Sequence, residues 1–159
     1  NLDPDPDDIS IDDIAHALAN ACRFTGHTKV PYSVAQHSYL VHTKVPDEDK
    51  LWACLHDAPE AYLGDLAAPI KNSKSPLAEA YLRAEEVLME AVCEAFNLPL
   101  SMPESVKEAD QLLLRSEIRD FMPAFMSAVY EGNKLGFTIK PWDAETAERE
   151  LYWTVWGLK

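Results

Sequence analysis

His56 and Asp57 stand side by side in Leu51-Trp52-Ala53-Cys54-Leu55-His56-Asp57, a stretch that reads as a helix beginning at Asp47. Adjacent helical residues point ~100° apart, so both side chains reach one cation only if it sits between them at a helix crossing. Imidazole nitrogen combined with carboxylate oxygen suits a borderline or hard divalent ion. Two further ligands would come from other helices. His37, central to Val34-Ala35-Gln36-His37-Ser38, is one candidate; Asp110, where Val106–Leu114 turns apolar, is the other. Taken singly, each has a plainer reading: a helical histidine is more often satisfied or half-exposed than ligating, a His-Asp dipeptide recurs by chance, and Asp110 suits an ion pair. Spacing suggests a metal site without proving one.

Four other residues surround this pattern. Glu60 follows Asp57 by three and His56 by four, which on a continuing helix puts it on their side, although Pro59 intervenes. Arg23 falls where a helix ends and a loop containing Gly26 begins; its guanidinium fork fits phosphate bidentately, and equally fits a helix C-terminus. Lys71 in Ala67-Ala68-Pro69-Ile70-Lys71 is a second phosphate candidate, against the plain alternative of a solvated lysine. His27 lies beside Gly26, close in sequence to Arg23.

The elements that must position these groups read as helices throughout. Ser10 with Asp13 resembles a capping box, and Ile11, Ile14, Ala15, Leu18, Ala19 and Cys22 recur at helical spacing. Arg23–Pro31 reads as a loop. Ser33 caps a second helix to about Lys44, stopped by Pro46; the third runs from Asp47 to Asp57, with Pro59 kinking or ending it. Glu60–Leu63 is a separate turn before Gly64, and Asp65–Ser75 a connector. The longest helix spans Pro76–Phe96, and another Glu104–Phe121; a short one is expected over Ala124–Tyr130. Asp143 caps the last helix, to Trp156. The Pro/Asp-rich opening, Asn1 to Asp8, reads as extended. No repeat, low-complexity tract or sustained strand alternation occurs, so the fold class is all-α, one compact bundle of about six or seven helices.

At 159 residues, 47% hydrophobic and 26% charged, the chain fits one globular domain over residues 1–159. No run of ~18 apolar residues occurs, so no membrane span is expected. No signal peptide is visible, though the sequence opens at Asn1, which implies that an initiator methionine is missing. Cys22, Cys54 and Cys93 are odd in number, widely spaced and in apolar settings, as in buried thiols of a reducing cytoplasm. A net charge of −13 disfavours long nucleic acid but leaves room for a small phosphorylated ligand where cations gather locally.

The order His37, His56-Asp57, Asp110 resembles the H…HD…D signature of the HD superfamily of metal-dependent phosphohydrolases. The likeness extends beyond the ligands. Asn20 to Thr28, Tyr32 to Ser38 and Leu55 to Asp65 are similar to its small nucleotidase branch, which includes bacterial 5′-deoxynucleotidases and phage-borne deoxynucleoside triphosphate hydrolases. It covers roughly residues 3 to 122. The resemblance implies one divalent transition metal (Co, Mn, Zn, Fe or Ni) held by His37, His56, Asp57 and Asp110. It implies Glu60 as the group that helps activate water, Arg23 and Lys71 on the phosphates, Asp65 near the sugar or the water, and a phosphate-region contact for His27. Only five histidines occur, the others being His16 and His42, which argues against the His-rich multi-metal sites of some relatives. His16 reads as structural.

The implied reaction is hydrolysis of a deoxynucleoside triphosphate, with dATP the leading candidate, in the cytoplasm, or the host cytoplasm for a phage-encoded chain. A 5′-monophosphate is the alternative substrate, and a catalytically silent nucleotide-binding module the alternative function. The same resemblance implies a homo-oligomer. Trp142, Trp153 and Trp156 fit core or subunit contacts better than base stacking.

Overall fold

The computed structural model describes residues 3–159, the side chains at 127 and 128 excepted; Asn1 and Leu2 of the extended opening lie outside the described residues. A short 3₁₀ turn, Pro6–Asp8, leads into α1 (Ile11–Asn20), where the Ser10 hydroxyl accepts from the amides of Asp12 and Asp13 as an N-cap should. After the turn Arg23–Gly26 comes α2 (Val34–His42), capped by Ser33. Then follow α3 (Lys50–Leu55), α4 (Glu60–Leu63), α5 (Ala68–Lys71), α6 (Pro76–Phe96), α7 (Glu104–Phe121), α8 (Ala124–Val129) and α9 (Ala144–Leu158). All are helical; the β-type pairing among the described residues is one isolated antiparallel bridge, Cys22 with Ser33.

The segments outnumber the six or seven helices expected because prolines cut them short. Pro59 is the decisive one. It has no N–H to offer the Leu55 carbonyl, which accepts instead from Ala58 at 2.9 Å, and three-residue turns continue through Glu60→Asp57 and Ala61→Ala58. The third helix therefore ends at Leu55, and His56-Asp57 sits in the tight turn beyond it rather than inside the helix. Residues 65–75, read as a connector, contain the single turn α5, which opens on Pro69 near its start.

α2 is the hub. Val34, Ala35, Gln36, His37, Ser38 and Val41 are buried, and the helix packs against α1, α3, α7 and α9. On one side Ile14, Leu18, Leu55, Val92 and Leu151 form a core shared by α1, α3, α6 and α9. On the other, Tyr32, Trp52, Leu113, Phe121 and Ile139 form a second. The Gln36 amide fastens the loop before α9 to this hub, donating to the Lys140 carbonyl and accepting from the Trp142 amide, each at 2.8 Å.

One expectation about a single side chain fails, and another is narrowed. Cys54 and Cys93 are buried free thiols, but Cys22 is exposed because the chain leaves α1 before reaching it. Trp153 and Trp156 lie outside the core, 61% and 60% exposed, because Ala147, Leu151 and Val155 fill the inner face of α9. No helix is long and apolar enough to cross a membrane, among the described residues.

Candidate metal centre

Three elements deliver the ligand atoms. α2 places His37 with its side chain fully buried; the turn after α3 brings His56 and Asp57; α7 brings Asp110. His37 Nε2 lies 3.2 Å from His56 Nε2, 3.2 Å from Asp110 Oδ1 and 3.7 Å from Asp57 Oδ2, and His56 Nε2 lies 3.4 Å from that same Asp57 oxygen. One ligand atom each from His37, His56 and Asp110 falls within 4.8 Å of the others, so this group could hold a metal ion.

The outer nitrogens strengthen the fit. His56 Nδ1 faces the Ala53 carbonyl at 2.7 Å, and a carbonyl only accepts, so the proton resides on Nδ1. His37 Nδ1 faces Glu117 Oε1 at 2.6 Å, again an acceptor. Both imidazoles thus turn their Nε2 atoms inward, where the carboxylates of Asp57 and Asp110 also point. Metal-binding histidines are held in this manner, the second nitrogen anchored to a carbonyl or carboxylate. A proton on His37 or a cation among the four groups is needed to offset the converging lone pairs.

Charge balance leads the same way. Burial and the Arg23 charge push His37 down, but Glu117 and Asp110 outweigh them and raise it to about 9. Against the cost of burial, His37 and Arg23 hold Glu117 low; His37 and His56 do the same for Asp110, which lies well below the usual carboxylate range. Arg23 bridges Asp57 at 3.4 Å and Glu117 at 3.1 Å, and these carboxylates overcome burial to keep it charged. Without the His37 proton, the three carboxylates Asp57, Asp110 and Glu117 stand against one guanidinium, a deficit of two charges that a divalent cation would make up.

Glu117 was not singled out in the sequence. It is fully buried and accepts hydrogen bonds from Tyr32 Oη at 2.8 Å and from Arg23, besides holding His37. The signal was present: Glu117 lies seven residues after Asp110, two helical turns on, in line with the apolar Leu113.

Glu60 opens α4 and is 6% exposed. Burial, then the nearby charges of Asp57 and Asp65, push its carboxyl up to about 8. Its Oε2 and the Nε of Arg23 are buried with no partner among the described residues. Few buried polar atoms in a native fold are left so, and at a functional site they suit a ligand or water. Asp65 is half-buried, raised by burial, and lies in the field of Arg23 and Asp57. Lys71 is tied to Glu85 at 2.6 Å and lies over the Tyr81 ring, while Tyr81 Oη donates to the Gly64 carbonyl at 2.6 Å.

His27 is exposed beyond the Arg23–Gly26 turn and has no side-chain partner among the described residues, so the structure does not bring it to the cluster. His42 lies outside it too, bonding to the Tyr39 carbonyl. His16 pairs with Glu148 of α9 at 3.0 Å, an exposed helix–helix contact.

No family profile matches the chain. It is 46% identical over 114 residues to the uncharacterized protein YfdR of Escherichia coli K12, covering 72% of this chain and 62% of that protein. It is 40% identical over 117 residues to an uncharacterized protein of Rhodobacter capsulatus, covering 68% of this chain and 58% of that one. The chain thus spans about three-fifths of the length of these bacterial relatives.

Proposed function

We propose that this chain is a metal-dependent phosphohydrolase of the HD type acting on a deoxynucleotide. The observation that carries the reading is the convergence of His37, His56, Asp57 and Asp110 beside two buried polar atoms without partners, Glu60 Oε2 and Arg23 Nε. A divalent cation held by those four side chains supplies Lewis acidity, offsetting phosphate charge and making water more acidic. Co, Mn, Zn, Fe and Ni all suit imidazole and carboxylate donors.

The chain's own residues supply the rest. Glu60, raised to about 8, is poised near neutral pH to take a proton from attacking water and pass it on. Arg23 Nε is a donor free for a phosphate oxygen, on a guanidinium held rigid by Asp57 and Glu117. Lys71 adds a second positive charge at the rim, steadied by Glu85. Asp65 borders the same space and suits a sugar hydroxyl or the water.

A deoxynucleoside triphosphate, dATP first, is the leading substrate. One observation favours a 5′-monophosphate as the second reading. The fixed cations in the field of both Glu60 and Asp65 are Arg23 and Lys71, each already facing a carboxylate. A triphosphate brings several more negative charges to be met.

The test is release of phosphate, pyrophosphate and triphosphate from a panel of nucleoside mono- and triphosphates with Mn²⁺, Co²⁺ or Zn²⁺. Asp57→Ala should lose metal and turnover together. Glu60→Gln should keep the metal yet lose turnover by about 10²–10⁴-fold. A protein that binds metal but turns over no nucleotide would leave a nucleotide-binding module; one that binds no metal would leave a helical interaction protein.

A further inference from the structure

Tyr81 and Glu85 lie one turn apart on α6, in the same stripe as the buried Ala78, Leu88 and Val92. That stripe faces inward, so a carboxylate within it needs a partner. Glu85 has Lys71, whose Nζ donates to its Oε1 at 2.6 Å. The Lys71 and Glu85 side chains are 28% and 22% exposed, so water screens the pair only in part. The Lys71 ammonium also lies 5.6 Å from the centre of the Tyr81 ring. Tyr81 in turn donates to the Gly64 carbonyl at 2.6 Å, at a turn whose φ of +75° favours glycine. One side of α6 thus grips both ends of the segment from Gly64 to Lys71, which carries Asp65. Lys71 lies in the field of Glu60 and Asp57 as well, so it borders the same space.

The other acids around that space are already occupied. Asp57 and Asp110 converge with the two imidazoles, Glu117 holds His37, and Glu60 and Asp65 border the place for water and sugar. Glu85 does none of this: its helix supplies none of the four candidate ligands, and its charge is spent on Lys71. We propose that Glu85 is a specificity-determining residue which, acting through Lys71, disfavours long phosphate chains relative to a single phosphate. The proposal rests on the nucleotide site described above. A cation that already faces a carboxylate offers an incoming anion little net attraction. Each phosphate beyond the first adds negative charge that must be met. Arg23 is shared with Asp57 and Glu117, which leaves Lys71 as the further cation in the field of both Glu60 and Asp65. There a longer chain meets the Glu85 carboxylate beside the ammonium. Placing an unfavourable charge against the unwanted ligand is a general route to selectivity.

Calorimetric titration with deoxyadenosine mono- and triphosphate tests this, with Mn²⁺ in excess at ~0.15 M salt. A Glu60→Gln background is used throughout so that the nucleotide is not consumed. Glu85→Gln removes the charge but keeps an oxygen that accepts from Lys71, so the ammonium stays in place. It should tighten triphosphate binding at least about fivefold and monophosphate binding less than about twofold. Glu86→Gln makes the same change of net charge at an exposed neighbour and should shift neither. In a Lys71→Gln background the gain from Glu85→Gln should vanish, because the effect passes through Lys71. Unchanged helical circular dichroism will show that the variants fold. Equal gains for both nucleotides overturn the proposal, as does weaker triphosphate binding in Glu85→Gln. So does a gain that survives Lys71→Gln, or a chain that binds neither nucleotide. The readout is a ratio of affinities, so it stands apart from the hydrolase assay: a chain that turns over no nucleotide but shows the shift keeps this inference and loses only the enzyme reading.

Discussion

Glu117 shows how much of a candidate metal centre can depend on a residue outside the converging ligand atoms. Its carboxylate is fully buried and is occupied by three donors: Tyr32, Arg23 and His37 Nδ1. Removing its charge weakens the hold on the His37 ring and leaves Arg23 with one carboxylate in place of two. Loss of such a supporting group typically lowers metal affinity 10- to 100-fold. Glu117→Gln is therefore expected to weaken Mn²⁺ or Zn²⁺ binding by about that factor, read by calorimetric titration. The protein should also be less stable, since a buried guanidinium and imidazole lose their counter-charge. Affinity equal to that of the unaltered chain would mean that Ala53, holding His56, and the inward carboxylates suffice to organise the centre.

Among the elements, α2 holds the most because it packs on both cores and carries His37. Its neighbour in sequence, Gln36, is 1% exposed and grips the backbone of 140 and 142 with both ends of its amide. Gln36→Leu keeps the volume but leaves the Lys140 carbonyl and the Trp142 amide without partners. A cost of about 1–3 kcal/mol is expected in denaturant unfolding. Hydrogen exchange should quicken at the Trp142 amide first, because that donor loses its acceptor, while the amides of α6 keep their protection. Uniform acceleration across all helices would instead mean that the loop and the hub unfold as one unit.

Over the whole molecule, the cluster makes stability depend on pH and metal together. His37 is raised from 6.5 to about 9 in the fold, so its stabilising contribution is complete below about 6.5 and is lost as pH rises through 9. Burial of Glu60 has the same sign: the fold favours the protonated acid, and stability declines as pH rises from 4.5 to about 8. The depressed carboxyls of Asp110 and Glu117 act in the opposite direction, contributing above the ordinary carboxylate range and failing as pH falls through their lowered values. The metal-free protein should therefore be most stable on the mildly acidic side of neutrality. A divalent cation takes the place of the His37 proton, so it should remove much of the alkaline loss. At a concentration 100-fold above its dissociation constant it adds about 2.7 kcal/mol, or roughly 5–10 °C in Tm for a chain of this size. Thermal scans with Mn²⁺ and with chelator, at pH 6 and pH 8.5, should show the larger gain at the higher pH. An equal gain at both would place the displaced proton elsewhere than on His37.

Short-range physics made the helices legible from the residue order alone. Ser10, Ser33 and Asp143 cap the helices that follow them because a side-chain oxygen needs only the next two or three amides to act. The apolar spacing in α1 likewise identified Ile14, Ala15, Leu18 and Ala19 as buried, whereas in α6 Leu77 and Leu82, spaced like core residues, are exposed; the ordered His37, His56-Asp57 and Asp110 offered a ligand set. What lay beyond reach depends on neighbours distant in sequence. Pro59 was visible, but its effect, a tight turn that aims both His56 and Asp57 at His37, depends on where α2 and α7 cross. Glu117 reads as one more helical acid until Tyr32, Arg23 and His37 are found around it, 85, 94 and 80 residues away. Trp153 and Trp156 fit the core or a subunit contact by spacing until Ala147, Leu151 and Val155 fill the inner face of α9 and leave both indoles exposed. Caps, breaks and periodicity are set within a helical turn or two; the convergence of buried charges is set by packing, and only the tertiary structure decides it.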